Sequence, residues 1–193
     1  MIGNGHAVGS PLLQFGLALP SLVLIFVLMR LIKPIIALVI GTLLLFLFSH
    51  FLLGINVLPH YLIAWLILFP WYFLLRNLYR YNREDVRVFG IPLFPVLAWS
   101  VGLPSGMIVL RLFFATIHKT PPLHFPVWYG AFIVILVIYE WVGYHLLNIR
   151  LRTEYKGFPL IDCMHVPGWV KAGYFSIGVL YYYALDGFDL LLF

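Results

Sequence analysis

Glu140 sits in the apolar, aromatic run Ile138-Tyr139-Glu140-Trp141-Val142-Gly143-Tyr144-His145. A carboxyl group in such surroundings is costly, and inside a membrane it marks a functional site by default. Loss of water favours the neutral acid, a proton donor or relay. The plainer alternative is a neutral Glu140 hydrogen-bonded to Tyr144 one turn on, or to a facing Trp or Ser. A second group, Asp162, Cys163 and His165, falls in the stretch Phe158-Pro159-Leu160-Ile161-Asp162-Cys163-Met164-His165-Val166-Pro167-Gly168-Trp169. Asp162 and His165 together suit acid/base work, and with Glu140 they form the candidate catalytic set. Their spacing matches no metal-binding signature, so no metal is assigned. The third group is Arg111 with Asp186. An Arg111–Asp186 pair would lower the cost of both charges, and as a candidate substrate-binding or ion mouth it competes with a purely structural ion pair. Asp186 and Asp189, three residues apart, are expected on one face of the last helix.

These residues need a scaffold, and composition names its solvent. Of 193 residues, 63% are hydrophobic and only 10% charged, against about 45–50% and about 25% in soluble domains. The mean hydropathy is +1.01. A water-soluble globule of this size cannot enclose so much apolar surface. The expected class is therefore an all-α membrane protein, excluding a soluble enzyme, a disulfide-stapled secreted domain and a disordered chain. The net charge of +5 does not indicate nucleic acid, because the basic residues form no single stripe. The one cysteine, Cys163, excludes an internal disulfide. Met1–Ser10 carries no Lys or Arg and so lacks the positive region of a cleaved signal, and no prenylation box closes the chain. The first hydrophobic run is expected to be retained.

Six runs meet the need for about 20 apolar residues per span: Leu12–Met29, Ile35–Leu53, Tyr61–Leu75, Ile91–Leu110, Val127–Leu147 and Ala172–Leu192. They predict a single polytopic domain over 1–193, a bundle of six transmembrane helices. The third run is the shortest and extends amphipathically through Leu78. Arg30, Lys33, Arg76, Arg80, Arg83, Arg87, Arg150, Arg152, Lys156 and Lys171 fall in the first, third and fifth connections. Lys119 alone falls in the others, and Arg111 ends a helix. The positive-inside rule then places the odd connections in the cytoplasm and both termini outside. In a bacterial cell this means the cytoplasmic membrane. Tyr61, Trp71, Trp128, Trp141 and Trp169 fit an interfacial belt, whereas Trp99 is expected inside the bundle.

Pro92, Pro95 and Pro104 predict a fourth helix kinked or broken, most sharply at Val101-Gly102-Leu103-Pro104-Ser105-Gly106. Residues 156–171 read as an interfacial or re-entrant loop. His145 should point about 140° away from Glu140 on a straight helix, on the side of Trp141. His60, His118 and His124 are expected in outer loops and His50 in the second helix. No two helices face each other with His at mid-depth, which argues against haem, and the cofactor is left unassigned. Gly90-Ile91-Pro92-Leu93 returns as Gly157-Phe158-Pro159-Leu160, a weak sign of parallel repeats. No Walker loop, dinucleotide fingerprint or zincin helix is present.

The expected function is an integral membrane enzyme acting on a lipid or isoprenoid substrate, with Tyr and Phe lining an apolar cavity. A small transporter or channel with Glu140 at the midplane is the first alternative. A non-catalytic subunit or assembly factor is the second. The expected partners are the bilayer, an apolar small molecule or lipid, and a membrane-protein partner or second copy.

Overall fold

The computed structural model describes residues 10–78, 80, 86–117 and 124–191. About 72% of the chain is helical. Six α-helices run in chain order: α1 (Pro11–Leu31), α2 (Pro34–Phe51), α3 (Leu58–Leu74), α4 (Leu93–Ile117), α5 (Phe125–Trp141) and α6 (Gly168–Gly187). Four segments are long and apolar enough to cross a membrane: Leu12–Leu31, Pro34–Phe51, Leu93–Ile117 and Phe125–Leu146. α3 is apolar but one turn short of a comfortable span. α6 is long enough but carries Lys171, Asp186 and a run of tyrosines.

Proline starts these helices and does not stop them. It occupies the first turn of α1, α2, α3 and α5, where its missing N–H would have had no helical partner. Ser10 adds a side-chain cap, accepting from the Leu13 amide. Pro20, Pro70 and Pro104 lie inside α1, α3 and α4. α4 remains helical from Leu93 to Ile117, so the backbone does not unwind over Val101–Gly106. Pro92 precedes the helix and Pro95 lies in its first turn, positions where little hydrogen bonding is lost.

α4 is the axis. It packs against α1, α2, α3 and α5, and α6 packs against α3 and α5. Its most apolar window is 78% buried, against 17–33% for the other three spanning-length helices. The outer helices turn apolar side chains outward: Leu12, Leu43, Leu66 and Leu74 are all strongly exposed. A helix apolar on its outer face as well as its inner one suits a hydrocarbon surround. Trp99 of α4 is enclosed, with its ring centroid 5.4 Å from that of Tyr174 and 6.1 Å from that of Phe132.

Several expectations require correction. Trp128 is fully enclosed by the bundle; its indole N–H donates to the Gly178 carbonyl at 3.0 Å. His60 is in the first turn of α3 and buried, not in an outer loop. His118 lies outside the described residues. α6 ends at Gly187, and Asp189 follows in a turn at φ +53, so Asp186 and Asp189 do not share a helix face. The helix stops because the Asp189 amide bonds back to the Asp186 carbonyl in a tight turn. A two-stranded hairpin, β1 (Arg87–Val88) and β2 (Ile91–Pro92), departs from the all-α expectation. Phe89 (φ +52) and Gly90 (φ +77) both take the left-handed conformation that a two-residue hairpin turn demands. Arg87 ties the hairpin to the end of α3, donating to the Arg76 carbonyl at 2.7 Å. Gly157, in the echoed sequence, has no such turn, so the two similar tetrapeptides fold differently.

Glycines set the closest approaches around α6. A side chain at Gly178 would meet the Phe132 ring, and one at Gly173 would meet the Trp71 indole. Gly178→Val should therefore overpack the α5–α6 contact and cost about 1–3 kcal/mol, read as a lowered midpoint of thermal unfolding in detergent. Gly16→Ala, with open space at its Cβ, should leave the midpoint unchanged or raise it slightly. Equal midpoints for wild type and Gly178→Val would refute the packing.

Candidate functional site

The site is assembled where α5 ends. From Val142 to Leu146 the helix widens into a π-turn, a local irregularity that recurs at functional sites. The wider turn changes the rotation per residue, so His145 is not where a straight helix would put it. Its ring stays beside Trp141, as expected, with centroids 5.1 Å apart. Its Nε2, however, reaches the following connection, 3.0 Å from the Asp162 carbonyl oxygen and 3.3 Å from Asp162 Oδ2.

That connection is held from inside. Cys163 and Met164 are wholly enclosed in the main hydrophobic core. The Phe158 amide donates to the Cys163 carbonyl, and the Asp162 amide donates to the Phe158 carbonyl, which closes a turn over Pro159–Ile161. Leu160 at its tip is 97% exposed. Asp162 (φ +47) and Met164 (φ +56) are both left-handed. Asp accepts this conformation readily; Met does so at a cost. The two inversions aim Cys163 and Met164 inward while Asp162 stays at the surface and His165 comes to lie over α5.

His165 is the centre of the arrangement. Its Nε2 lies 2.9 Å from Asp162 Oδ1. An ionised Asp162 selects the tautomer with hydrogen on Nε2, which leaves Nδ1 as the basic nitrogen. Nδ1 is buried without a hydrogen-bond partner. The imidazole stacks on the Tyr144 ring, centroids 3.6 Å apart and planes within 10°. The Arg150 guanidinium covers the other part of the sandwich, 4.3 Å from the Tyr144 centroid. Gly157 is required here: a Cβ would sit 2.8 Å from His165 Nε2 and 2.9 Å from the Cys163 carbonyl oxygen.

Glu140 and His165 line one cavity of about 60 Å³. Phe94, Pro95 and Trp99 of α4 form part of its wall, with Phe26 and Met29 from α1. Among the described residues, no hydrogen bond or ion pair holds the Glu140 carboxyl, and the expected bond to Tyr144 is not formed. The space holds a few waters or the reacting end of a ligand. A second cavity, of about 220 Å³, adjoins it through Tyr144, Leu151 and His165. Chemically, the arrangement places an imidazole, His165 held by Asp162, and a carboxyl, Glu140, on the lining of one cavity.

Of the five candidate residues, the fold brings Glu140, Asp162 and His165 together and leaves Arg111 and Asp186 elsewhere. The last two do not line this cavity; they lie within electrostatic range of Tyr182 on α6. Sequence reasoning missed His145 and Arg150. The available signal was aromatic: Tyr144 between two histidines and an arginine is a platform on which a flat cation or imidazole stacks. Among the described residues, no three His, Cys, Asp or Glu side chains converge as a metal-binding group.

Burial raises the Cys163 thiol above its ordinary range, with the Glu140 and Asp162 carboxylates adding to the effect. The nucleophilic thiolate is therefore scarce near neutral pH. Maleimide should label Cys163 slowly in the folded protein and rapidly after denaturation. Gly157→Ala, by displacing His165 and the Cys163 carbonyl, should speed native labelling at least tenfold. Equal rates in the two folded proteins would contradict the role given to Gly157. Comparison with protein-family models, with curated proteins and with solved structures found no match.

Proposed function

We propose that this chain is an integral membrane enzyme acting on a lipid or isoprenoid substrate by acid/base chemistry. One observation supports this above others: Glu140 of α5 and His165 of the connection that follows it line one cavity, with Asp162 orienting the imidazole. A base and an acid on one cavity suit a reaction that removes one proton from the substrate and supplies another. His165 takes the first at Nδ1, and Glu140 gives the second from its neutral form. Protons balance over a turnover, the two groups re-equilibrating through the water of the cavity. The apolar walls from α1 and α4 exclude bulk water, which strengthens both interactions.

In this reading the bundle crosses the bilayer six times, α3 and α6 included, with both termini outside and α4 kinked at Pro104. The arginine-bearing connections, and with them Asp162 and His165, lie on the cytoplasmic side. The exposed Leu160 and Trp169 would then seat the 156–171 connection at the interface. Arg83→Cys in a Cys163→Ser background should react with an impermeant maleimide only after the membrane is opened. Labelling from outside on intact cells would reverse the orientation.

Lipid extracts of cells expressing the wild type and the variants test the activity. A lipid or isoprenoid species should change abundance with the wild type. The change should fall at least tenfold with Glu140→Gln, Asp162→Asn and His165→Ala, each checked for insertion into the membrane. If all three variants reproduce the wild-type lipid profile, the enzymatic reading fails. Unchanged lipids with solute flux in sealed vesicles that Glu140→Gln abolishes would replace it with transport.

A further inference from the structure

The catalytic cavity is too small for a lipid, so the rest of any lipid substrate must lie in the spaces beside it. Two such spaces adjoin it, and they differ sharply in chemistry. On one side is the vestibule of about 220 Å³, reached past the stacked Tyr144 and His165 and lined by Arg150, Arg152, Thr153, Glu154 and Tyr155. On the other is an apolar cleft between α4 and α5, which meets the catalytic cavity at Trp99 and Tyr139. Gly102 and Gly106 of α4 and Ile135 of α5 form its walls. The glycines keep it open. No atom lies within 4 Å of where a Gly102 side chain would begin, and only Ile135 approaches a Cβ at Gly106, at 3.4 Å. The Gly102–Gly106 segment thus gains a purpose that an unwound backbone would not have given it.

The three spaces form a track from a cationic mouth, past Glu140 and His165, into a hydrocarbon slot. We propose that this track binds a phosphorylated single-chain or isoprenoid lipid, its phosphate or diphosphate in the vestibule and its chain in the α4–α5 cleft. The proposal rests on the enzymatic reading above and names its substrate class. Two guanidiniums against the single carboxylate of Glu154 leave the mouth positive. Among the described residues, Arg152 makes no side-chain hydrogen bond or ion pair, only a backbone bond to Arg80, and its guanidinium carries five donors. Guanidiniums match phosphate oxygens bidentately. With the hydroxyls of Thr153 and Tyr155, the Arg152 guanidinium offers more donors than the two oxygens of a carboxylate use. Arg150, already lying on the Tyr144 ring, couples an anion in the vestibule to the stack that separates the two cavities.

The test is equilibrium binding to the full chain in detergent or nanodiscs, read by tryptophan fluorescence or native mass spectrometry. The probes are geranyl, farnesyl and geranylgeranyl diphosphate, farnesol, oleate and inorganic diphosphate. Farnesyl diphosphate should bind at least tenfold more tightly than farnesol, oleate or inorganic diphosphate. Arg152→Ala should erase that preference, and Glu154→Gln should strengthen diphosphate binding several-fold. Gly102→Leu favours helix and its Cβ has open space, so the protein should fold; it should weaken geranylgeranyl diphosphate far more than geranyl diphosphate. Equal affinity for inorganic and farnesyl diphosphate would make this a free-phosphate site and overturn the lipid assignment. Oleate binding as tightly as farnesyl diphosphate would overturn the phosphate. No binding by the wild type, or chain-length preference unchanged by Gly102→Leu, would overturn the track. The titration reads binding without conversion, so its failure is separable from a failure of the acid/base reading in lipid extracts.

Discussion

Burial of α4 is the constraint from which the rest of the structure follows. An element enclosed by four other helices must satisfy its polar groups within itself. α4 does so: the Ser100 hydroxyl donates to the Leu97 carbonyl, and the helix runs unbroken past Pro104. The enclosed face carries small residues among large ones, Ala98, Ser100, Ser105 and Gly106 beside Leu97, Trp99, Leu103 and Met107. Small positions admit neighbours and leave slots; large ones fill the core. The first turns of α4, at Phe94, Pro95 and Trp99, are also a wall of the cavity that Glu140 and His165 line. The helix that organises the bundle therefore also walls this cavity.

The connection between α5 and α6 behaves as a built element. Left-handed backbone at a non-glycine residue costs on the order of 1–3 kcal/mol, and Met164 carries such a cost. Full burial of its side chain is worth about 1.5–3 kcal/mol, enough to offset it. Cys163 adds its own burial, and the turn-closing amides of Phe158 and Asp162 add hydrogen bonds. The balance holds Asp162 at the surface (63% of its side chain exposed) and His165 beneath it (14%).

The π-turn at the end of α5 serves the same geometry. With 3.6 residues per turn, Glu140 and His145 would face apart, and the helix would present one functional side chain at a time. Widened over Val142–Leu146, the chain presents Glu140, Gly143 and Tyr144 to the cavity and His145 to Asp162. Gly143 has no neighbour within 4 Å of its Cβ position, so the glycine there reflects the backbone's irregularity and not crowding.

Composition and periodicity alone determined that the chain is mostly helical and apolar on more than one face. They also singled out Glu140, Asp162 and His165, because in an apolar sequence every ionisable residue stands out and each carries a large desolvation cost. The sequence could not decide which of these residues meet. Asp162 and His165 are joined by a turn whose left-handed residues have no reliable signature in a non-glycine sequence. His145 reaches Asp162 only through a π-turn that a 3.6-residue period does not contain. His60, expected in a loop from its place before the third apolar run, is instead buried in the first turn of α3, because a helix start is invisible to a hydropathy count. Arg111 and Asp186 stand out by the same cost argument, yet they lie away from the cavity. Desolvation cost is a property of a residue and its chain neighbours, and the sequence carries it; the meeting of residues from distant segments depends on how α4 is wrapped, and only the tertiary structure decides that.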